Sequence, residues 1–156
     1  MWTWMGGSSA ADQNPVFGTP GEPGTQNIPG ARYGLALWTD TTGHVWVFGG
    51  LGETGSSANP TTAFLNDLWE FNPSTLEWTL IGGINLAGMY SSQAVSGDPG
   101  VYGTLRTPDP GNIPGSRIQA TTWTDKQGHL WLFGGAGFDS TGLYRLLGDL
   151  IAHEPP

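Results

Sequence analysis

The chain has 156 residues, enough to bury a core, and is 12% charged with 26 Gly, 12 Pro and 8 Trp, a mix that disfavours both helices and disorder. Its formal net charge is −8, and the five basic residues (Arg32, Arg106, Arg117, Lys126, Arg145) are scattered, so a phosphate-tracking nucleic-acid surface is excluded and an anionic membrane is disfavoured. No cysteine is present, which excludes disulfides and thiolate chemistry, and no apolar run reaches the roughly 20 residues of a membrane span.

Taken in chain order, short strands between turns are expected throughout. Trp2-Thr3-Trp4-Met5 is expected to be a strand because it is matched later by Trp78-Thr79-Leu80-Ile81, each followed by Gly-Gly. The same N-terminal stretch lacks the basic segment and long apolar run of a secretion signal. After a Gly- and Pro-rich connection over 8–28, Arg32 to Thr39 reads as a first strand, closed by the turn Asp40-Thr41-Thr42-Gly43. His44 to Phe48 reads as a second strand, alternating Val45 and Val47 with Trp46 and Phe48 and stopping at Gly49-Gly50. Leu65 to Phe71 is the third, ended by Asn72-Pro73-Ser74, where Pro withholds a ladder donor. Trp78 to Ile81 is the fourth.

The chain then repeats itself. Residues 16–50 align without a gap on residues 101–135, at an offset of 85 and with more than half of the positions identical. Val16-Phe17-Gly18-Thr19 matches Val101-Tyr102-Gly103-Thr104, Asn27-Ile28-Pro29-Gly30 matches Asn112-Ile113-Pro114-Gly115, and Trp38-Thr39-Asp40 matches Trp123-Thr124-Asp125. Phe48-Gly49-Gly50 matches Phe133-Gly134-Gly135, and Leu65-Asn66-Asp67-Leu68 matches Leu147-Gly148-Asp149-Leu150 after a connection three residues shorter. The copies run over about 2–73 and 78–155 of a single unit, 1–156, with the fourth strand first in each. Four antiparallel strands per copy at this period describe a propeller blade.

The Gly-Gly doublet after an apolar strand, followed by Phe71 and Trp78 with six residues between them, resembles the kelch repeat. The longer pattern Asn-Ile-Pro-Gly-x-Arg, Trp-Thr-Asp, Gly-His-x-Trp-x-Phe-Gly-Gly and Asn-Asp-Leu-Trp-Glu-Phe-Asn-Pro resembles an extended kelch variant frequent in bacterial proteins. The resemblance implies an all-β fold of two four-stranded antiparallel blades, with Gly49, Gly50, Gly134, Gly135, Phe71, Trp78 and Trp2 as structural repeat residues. His153 departs from it, standing where Phe71 stands in the first copy. Copper oxidase chemistry known on kelch-like propellers needs a cysteine-crosslinked tyrosine, which a chain without cysteine cannot form.

Two blades do not close a ring, since propellers hold roughly four to eight. Head-to-tail association of copies is therefore expected, each N-terminal strand completing the last blade of a neighbour, with three chains favoured over two or four. The other reading is a fragment of a longer kelch propeller.

Turns after the first and third strands share one face and are short; the connections 51–64, 136–146, 8–28 and 84–113 share the other, where long loops on a rigid scaffold carry recognition. The ligand candidates on that face are Tyr90, Tyr102, Phe138, Tyr144, Glu53, Asp98, Asp109 and Asp139, with Phe17 and Glu22 beside them. Phe17 and Tyr102 share one repeat position, which favours packing, whereas Tyr90 and Phe138 lie outside the repeat. His44 and His129 are copies of one another and read as structural, as do Arg32, Arg117, Asp67 and Asp149. No catalytic residue, metal centre or cofactor is expected. The leading function is a non-catalytic module binding protein or glycan through the long-loop face. The alternatives are a hydrolase, lyase or isomerase acting on carbohydrate through loop carboxylates, and a scaffold whose partner is itself.

Overall fold

A computed structural model describes residues 1–54, 62–83 and 96–156, and the fold is all-β with antiparallel sheets and no helix among those residues. Among the described residues no helix is therefore long and apolar enough to cross a membrane. The first sheet holds β1 (Arg32–Tyr33), β2 (Ala36–Thr39), β3 (Val45–Glu53), β4 (Thr62–Asn72) and β5 (Glu77–Gly82). β1 and β2 both pair with β3, so the sheet is four strands wide, in the order β1/β2, β3, β4, β5.

The second strand differs from expectation. It does not stop at Gly49-Gly50 but continues to Glu53, because the glycines form a bulge at which the β3–β4 register shifts between Phe48 and Gly50. Gly49 and Gly50 adopt φ of 64° and 101°, left-handed conformations that glycine tolerates without steric cost. The matching third strand begins at Thr62 rather than Leu65. Residues 51–53 and 62–64 of the expected long connection are thus paired strand, and residues 55–61 lie outside the described residues.

Burial along β3 runs from Trp46 to Gly50 without alternation, since both faces of the sheet are covered. One face carries Ala36, Trp38, Trp46 and Phe48, packed on Leu130 and Leu132 of the second sheet. The other carries Val47, Trp69 and Leu80, covered by Phe17, Leu35 and Trp78.

The second sheet comprises β6 (Arg117–Ile118), β7 (Thr121–Thr124), β8 (Leu130–Phe133), β9 (Ala136–Phe138), β10 (Tyr144–Leu146) and β11 (Leu150–His153). It is split into two three-stranded ladders, β6-β9-β10 and β7-β8-β11. Gly134 and Gly135, at φ of 67° and 91°, separate β8 from β9 as Gly49-Gly50 bulge β3. Here too the expected connection 136–146 is a tight β9–β10 hairpin.

Among the described residues no fourth strand lies on β11. The expected strand Trp2–Met5 is not a strand: Trp2 is fully exposed and Trp4 is 70% exposed. A lone strand has no ladder to satisfy its backbone groups, so these residues stay solvated. The final segment holds despite His153, which pairs with Leu130 across the ladder and lies 5.4 Å from the Trp46 ring, between the two sheets.

The sheets meet along β2 and β7. Thr122 Oγ1 donates to Leu37 O at 2.8 Å, Thr124 Oγ1 to Thr39 O at 2.9 Å, and Trp38 Nε1 to Trp131 O at 2.7 Å. Each of these Thr partners is 85 residues away, the offset of the sequence repeat, so equivalent positions of the two copies sit directly against one another.

Candidate functional site

Two arginines anchor the two sheets. Arg32 Nη1 and Nη2 donate to Asp67 Oδ1 and Oδ2 at 2.6 and 2.9 Å, while Nε and Nη1 reach the carbonyls of Gly30 and Gly49, each at 3.1 Å. Arg117 repeats the arrangement with Asp149 (2.8 Å twice) and the carbonyls of Gly115 and Gly134. The third donor to each carboxylate differs. Trp69 Nε1 donates to Asp67 at 2.6 Å, but Ile151 stands in its place in the second copy. There the Tyr102 hydroxyl donates to Asp149 Oδ2 at 2.6 Å and accepts from Arg117 Nη2 at 3.2 Å. In the first copy the equivalent Phe17 has no hydroxyl and stacks on Trp69 at 6.0 Å. Tyr102 is thus a structural donor; sequence reasoning tied it to packing without seeing that it replaces an indole. Burial pushes the Tyr102 hydroxyl pKa up, and the Asp149 hydrogen bond pushes it further. Burial also acts upward on Asp149, but its bonds to Arg117 and Tyr102, with the Arg117 charge, hold the carboxyl below its ordinary value.

Asp139, a ligand candidate, belongs to a turn. Its Oδ1 accepts from Thr141 N, Thr141 Oγ1 and Leu143 N at 2.8, 2.6 and 3.1 Å. Asp40 Oδ1 does the same with Thr42 N, Thr42 Oγ1 and His44 N, and Asp125 Oδ1 with Gln127 N and His129 N. In each case Gly follows three residues later at φ between 78° and 93°. The shared Asp-x-x-Gly spacing was the signal for this role. Asp109 is likewise a turn acceptor, taking the Gly111 N–H at 2.7 Å.

Asp40, His44 and Glu70 each bring one donor atom within 4.8 Å of the others, a spacing that could hold a cation. The donor set is already committed. Asp40 Oδ2 accepts Trp46 Nε1 at 2.8 Å, its Oδ1 serves the turn, and His44 Nδ1 faces Glu70 Oε1 at 2.5 Å. Burial pushes the Asp40 pKa up, but these hydrogen bonds outweigh it and leave the carboxyl below its ordinary value. Asp40→Ala is expected to cost about 1.5–3 kcal/mol in urea unfolding, the worth of hydrogen bonds to a charged group, with Asp40→Asn recovering part of it.

The remaining candidates separate. Phe138 and Tyr144 come together with Phe64, which sequence reasoning missed, at ring separations of 5.0–5.8 Å. Phe138 is buried in that cluster and Tyr144 is exposed. Tyr102 and Asp139 line a hollow of about 420 Å³ together with Ser140, Arg145, Leu146 and Asp149. Glu53 lies at the end of β3, where Oε1 accepts from Thr62 Oγ1 at 3.4 Å. Asp98 is half-buried, its carboxyl pushed up by burial, with its backbone N–H donating to Ser116 Oγ at 2.8 Å. Tyr90 lies outside the described residues. Among the structural repeat residues, Phe71 packs on Trp78 at 4.9 Å, whereas Trp2 touches solvent.

The exposed surface of the second sheet is strongly apolar. Trp38 and Phe48 are 5% and 4% exposed in the first sheet, but their copies Trp123 and Phe133 are 43% and 47% exposed. The first sheet in turn exposes Tyr33 and Leu37, whose copies Ile118 and Thr122 face inward to the sheet–sheet junction or line its edge. No family model matches the chain, and no curated protein matches it.

Proposed function

We propose that the chain is a non-catalytic interaction module, a two-blade unit of a kelch-type β-propeller, that associates head-to-tail with further copies of itself. One observation carries the reading: the face buried between the sheets in the first copy is repeated, uncovered, in the second. Trp123, Phe133 and Leu150 are exposed on the second sheet, and Tyr33 and Leu37 are exposed on the first. A contact of unlike patches of this kind is heterologous and closes into a ring when its rotation allows. Exposed apolar patches of this type mark association surfaces. The rim bearing the β9–β10 hairpin, with Tyr144, Arg145 and the Asp139 turn, then serves recognition of a protein or glycan.

The turn carboxylates Asp109 and Asp139 already accept backbone N–H groups, which supports a binding rather than an acid/base role for that rim. Light scattering at micromolar concentration is expected to give a mass of several chains, and Phe133→Asp, an exposed position, is expected to reduce it to one. A wild-type chain of monomer mass at those concentrations would overturn the reading.

A further inference from the structure

We infer that the open edge of β11 is one wall of a slot built for a single strand, and that residues 2–7 of a second copy occupy it. The inference rests on the head-to-tail association proposed above and specifies its hydrogen bonds, register and packing.

The first sheet supplies the template. There β5 lies between two walls. On one side it pairs with β4, Phe71 opposite Trp78 and Glu70 opposite Thr79. On the other, the segment 18–28 clamps it: Gly21 N donates to Leu80 O at 2.8 Å, Gly24 N to Trp78 O at 3.1 Å, and Asn27 Nδ2 to Trp78 O at 2.9 Å.

Both walls recur in the second copy. β11 repeats the stretch of β4 that carries β5. The segment 103–113 repeats the clamp with the same internal bonds, each nearly matching its counterpart. Thr107 N donates to Thr104 O at 3.0 Å, as Glu22 N does to Thr19 O at 3.0 Å. Asn112 N donates to Asp109 O at 3.0 Å, as Asn27 N does to Gly24 O at 3.1 Å. Asn112 Nδ2 reaches Thr107 O at 3.3 Å, as Asn27 Nδ2 reaches Glu22 O at 3.0 Å. Arg106 even holds φ of 62° where Gly21 holds 80°, a conformation a side chain rarely adopts. The clamp is therefore shaped without a strand to clamp. Arg106 and Asp109 stand where Gly21 and Gly24 stand, and among the described residues their N–H groups have no backbone acceptor.

Residues 2–7 fit this slot by three separate features. They copy Trp78–Gly83 in sequence, and Gly7 holds φ of 80° against 86° for Gly83. At Gly83 a Cβ would overlap the Asn66 carbonyl oxygen, so the position accepts only glycine. The counterpart of Asn66 is Gly148, which lines the hollow together with Tyr102 and Asp149. Second, side-chain volumes exchange: Trp69 packs with Leu80 in the first copy, and the second pairs the smaller Ile151 with the larger Trp4. A volume-conserving exchange keeps packing density. Third, Trp2 would cover His153 as Trp78 covers Phe71. The register that follows places Trp2 opposite His153, Thr3 opposite Ala152 and Trp4 opposite Ile151.

The chain lacks cysteine, so a crosslink reads this register cleanly. Opposed residues of an antiparallel pair have Cβ atoms about 4.5–5.5 Å apart, close enough for a disulfide after small adjustment. Mixing the Thr3→Cys chain with the Ala152→Cys chain under mild oxidation is expected to give a covalent heterodimer, and the double variant a ladder of multimers. Adding Trp4→Asp to the Thr3→Cys chain and to the double variant, in a segment exposed in the single chain, is expected to abolish both. A mixture that light scattering shows assembled but that never crosslinks would overturn the slot while leaving face-to-face association standing. A double variant that crosslinks only within one chain would overturn the second copy as occupant. A monomeric wild-type chain would overturn the association itself.

Discussion

Arg32→Ala is expected to lower unfolding stability by about 3–5 kcal/mol, the cost of leaving one member of a buried ion pair without its partner. The Arg32 and Asp67 side chains are 4% and 6% exposed, so water cannot replace the lost guanidinium. The substitution also strips donors from the carbonyls of Gly30, just before β1, and of Gly49, in the β3 bulge. Arg117→Ala is expected to cost less, because each carboxylate keeps its third donor but Asp149 is 20% exposed against 6% for Asp67, so water can reach it. Urea unfolding of both variants at neutral pH measures the difference. The acid limb supplies a further check. Asp149 has a folded-state pKa depressed below its ordinary 3.8, so its contribution is fully present above that value and is lost as pH falls through the depressed one. Wild type is expected to lose this contribution below about pH 4, and Arg117→Ala, having no guanidinium to hold the carboxyl ionised, is expected to lose less over the same range.

Trp46→Ala is expected to be of similar size, about 3–5 kcal/mol, as a large buried aromatic removed from a packed core. Trp46 is wholly buried among Ala36, Trp38, Phe48, Leu130 and Leu132, which belong to both sheets. Its loss opens the junction between the copies and also orphans Asp40 Oδ2, which accepts its indole N–H. Trp131, the same residue one repeat later, offers the control. It is half-buried and stacks on the exposed Trp123 with ring planes 1° apart, so Trp131→Ala is expected to cost well under the Trp46 figure in the monomeric Phe133→Asp background. Thermal unfolding of the pair in that background separates core packing from association.

Much of the fold was readable because the repeat fixes which residues share a structural role. Arg32 and Arg117 recurred with their carboxylates, and both became bidentate pairs. The strand edges were less readable. Gly49-Gly50 reads locally as a stop, yet a neighbouring strand on each side turns it into a bulge, and only pairing across the sheet reveals that. The candidate site suffered from the same cause. Among the described residues β3 and β4 extend past their bulge, and β9 and β10 form a hairpin that holds Phe138, Asp139 and Tyr144. Phe64 went unnoticed since nothing in its own neighbourhood in sequence points to Phe138 and Tyr144; a contact between separate segments makes it part of the cluster. Asp139 was readable in principle through its likeness to Asp40 and Asp125, but that likeness crosses the repeat register and a gapless alignment hides it.

The two ways of supplying a third donor to the anchoring carboxylate have a consequence for how such copies diverge. Phe17 with Trp69, and Tyr102 with Ile151, are each coherent, but their crosses are not. Tyr102→Phe alone leaves Asp149 short of a donor, and Ile151→Trp alone introduces an indole where a hydroxyl already serves. Single exchanges between the copies therefore meet an epistatic barrier that the paired exchange avoids. Duplicated units tied together in this way drift by coupled steps, and each retains a signature by which its position in the chain can be told.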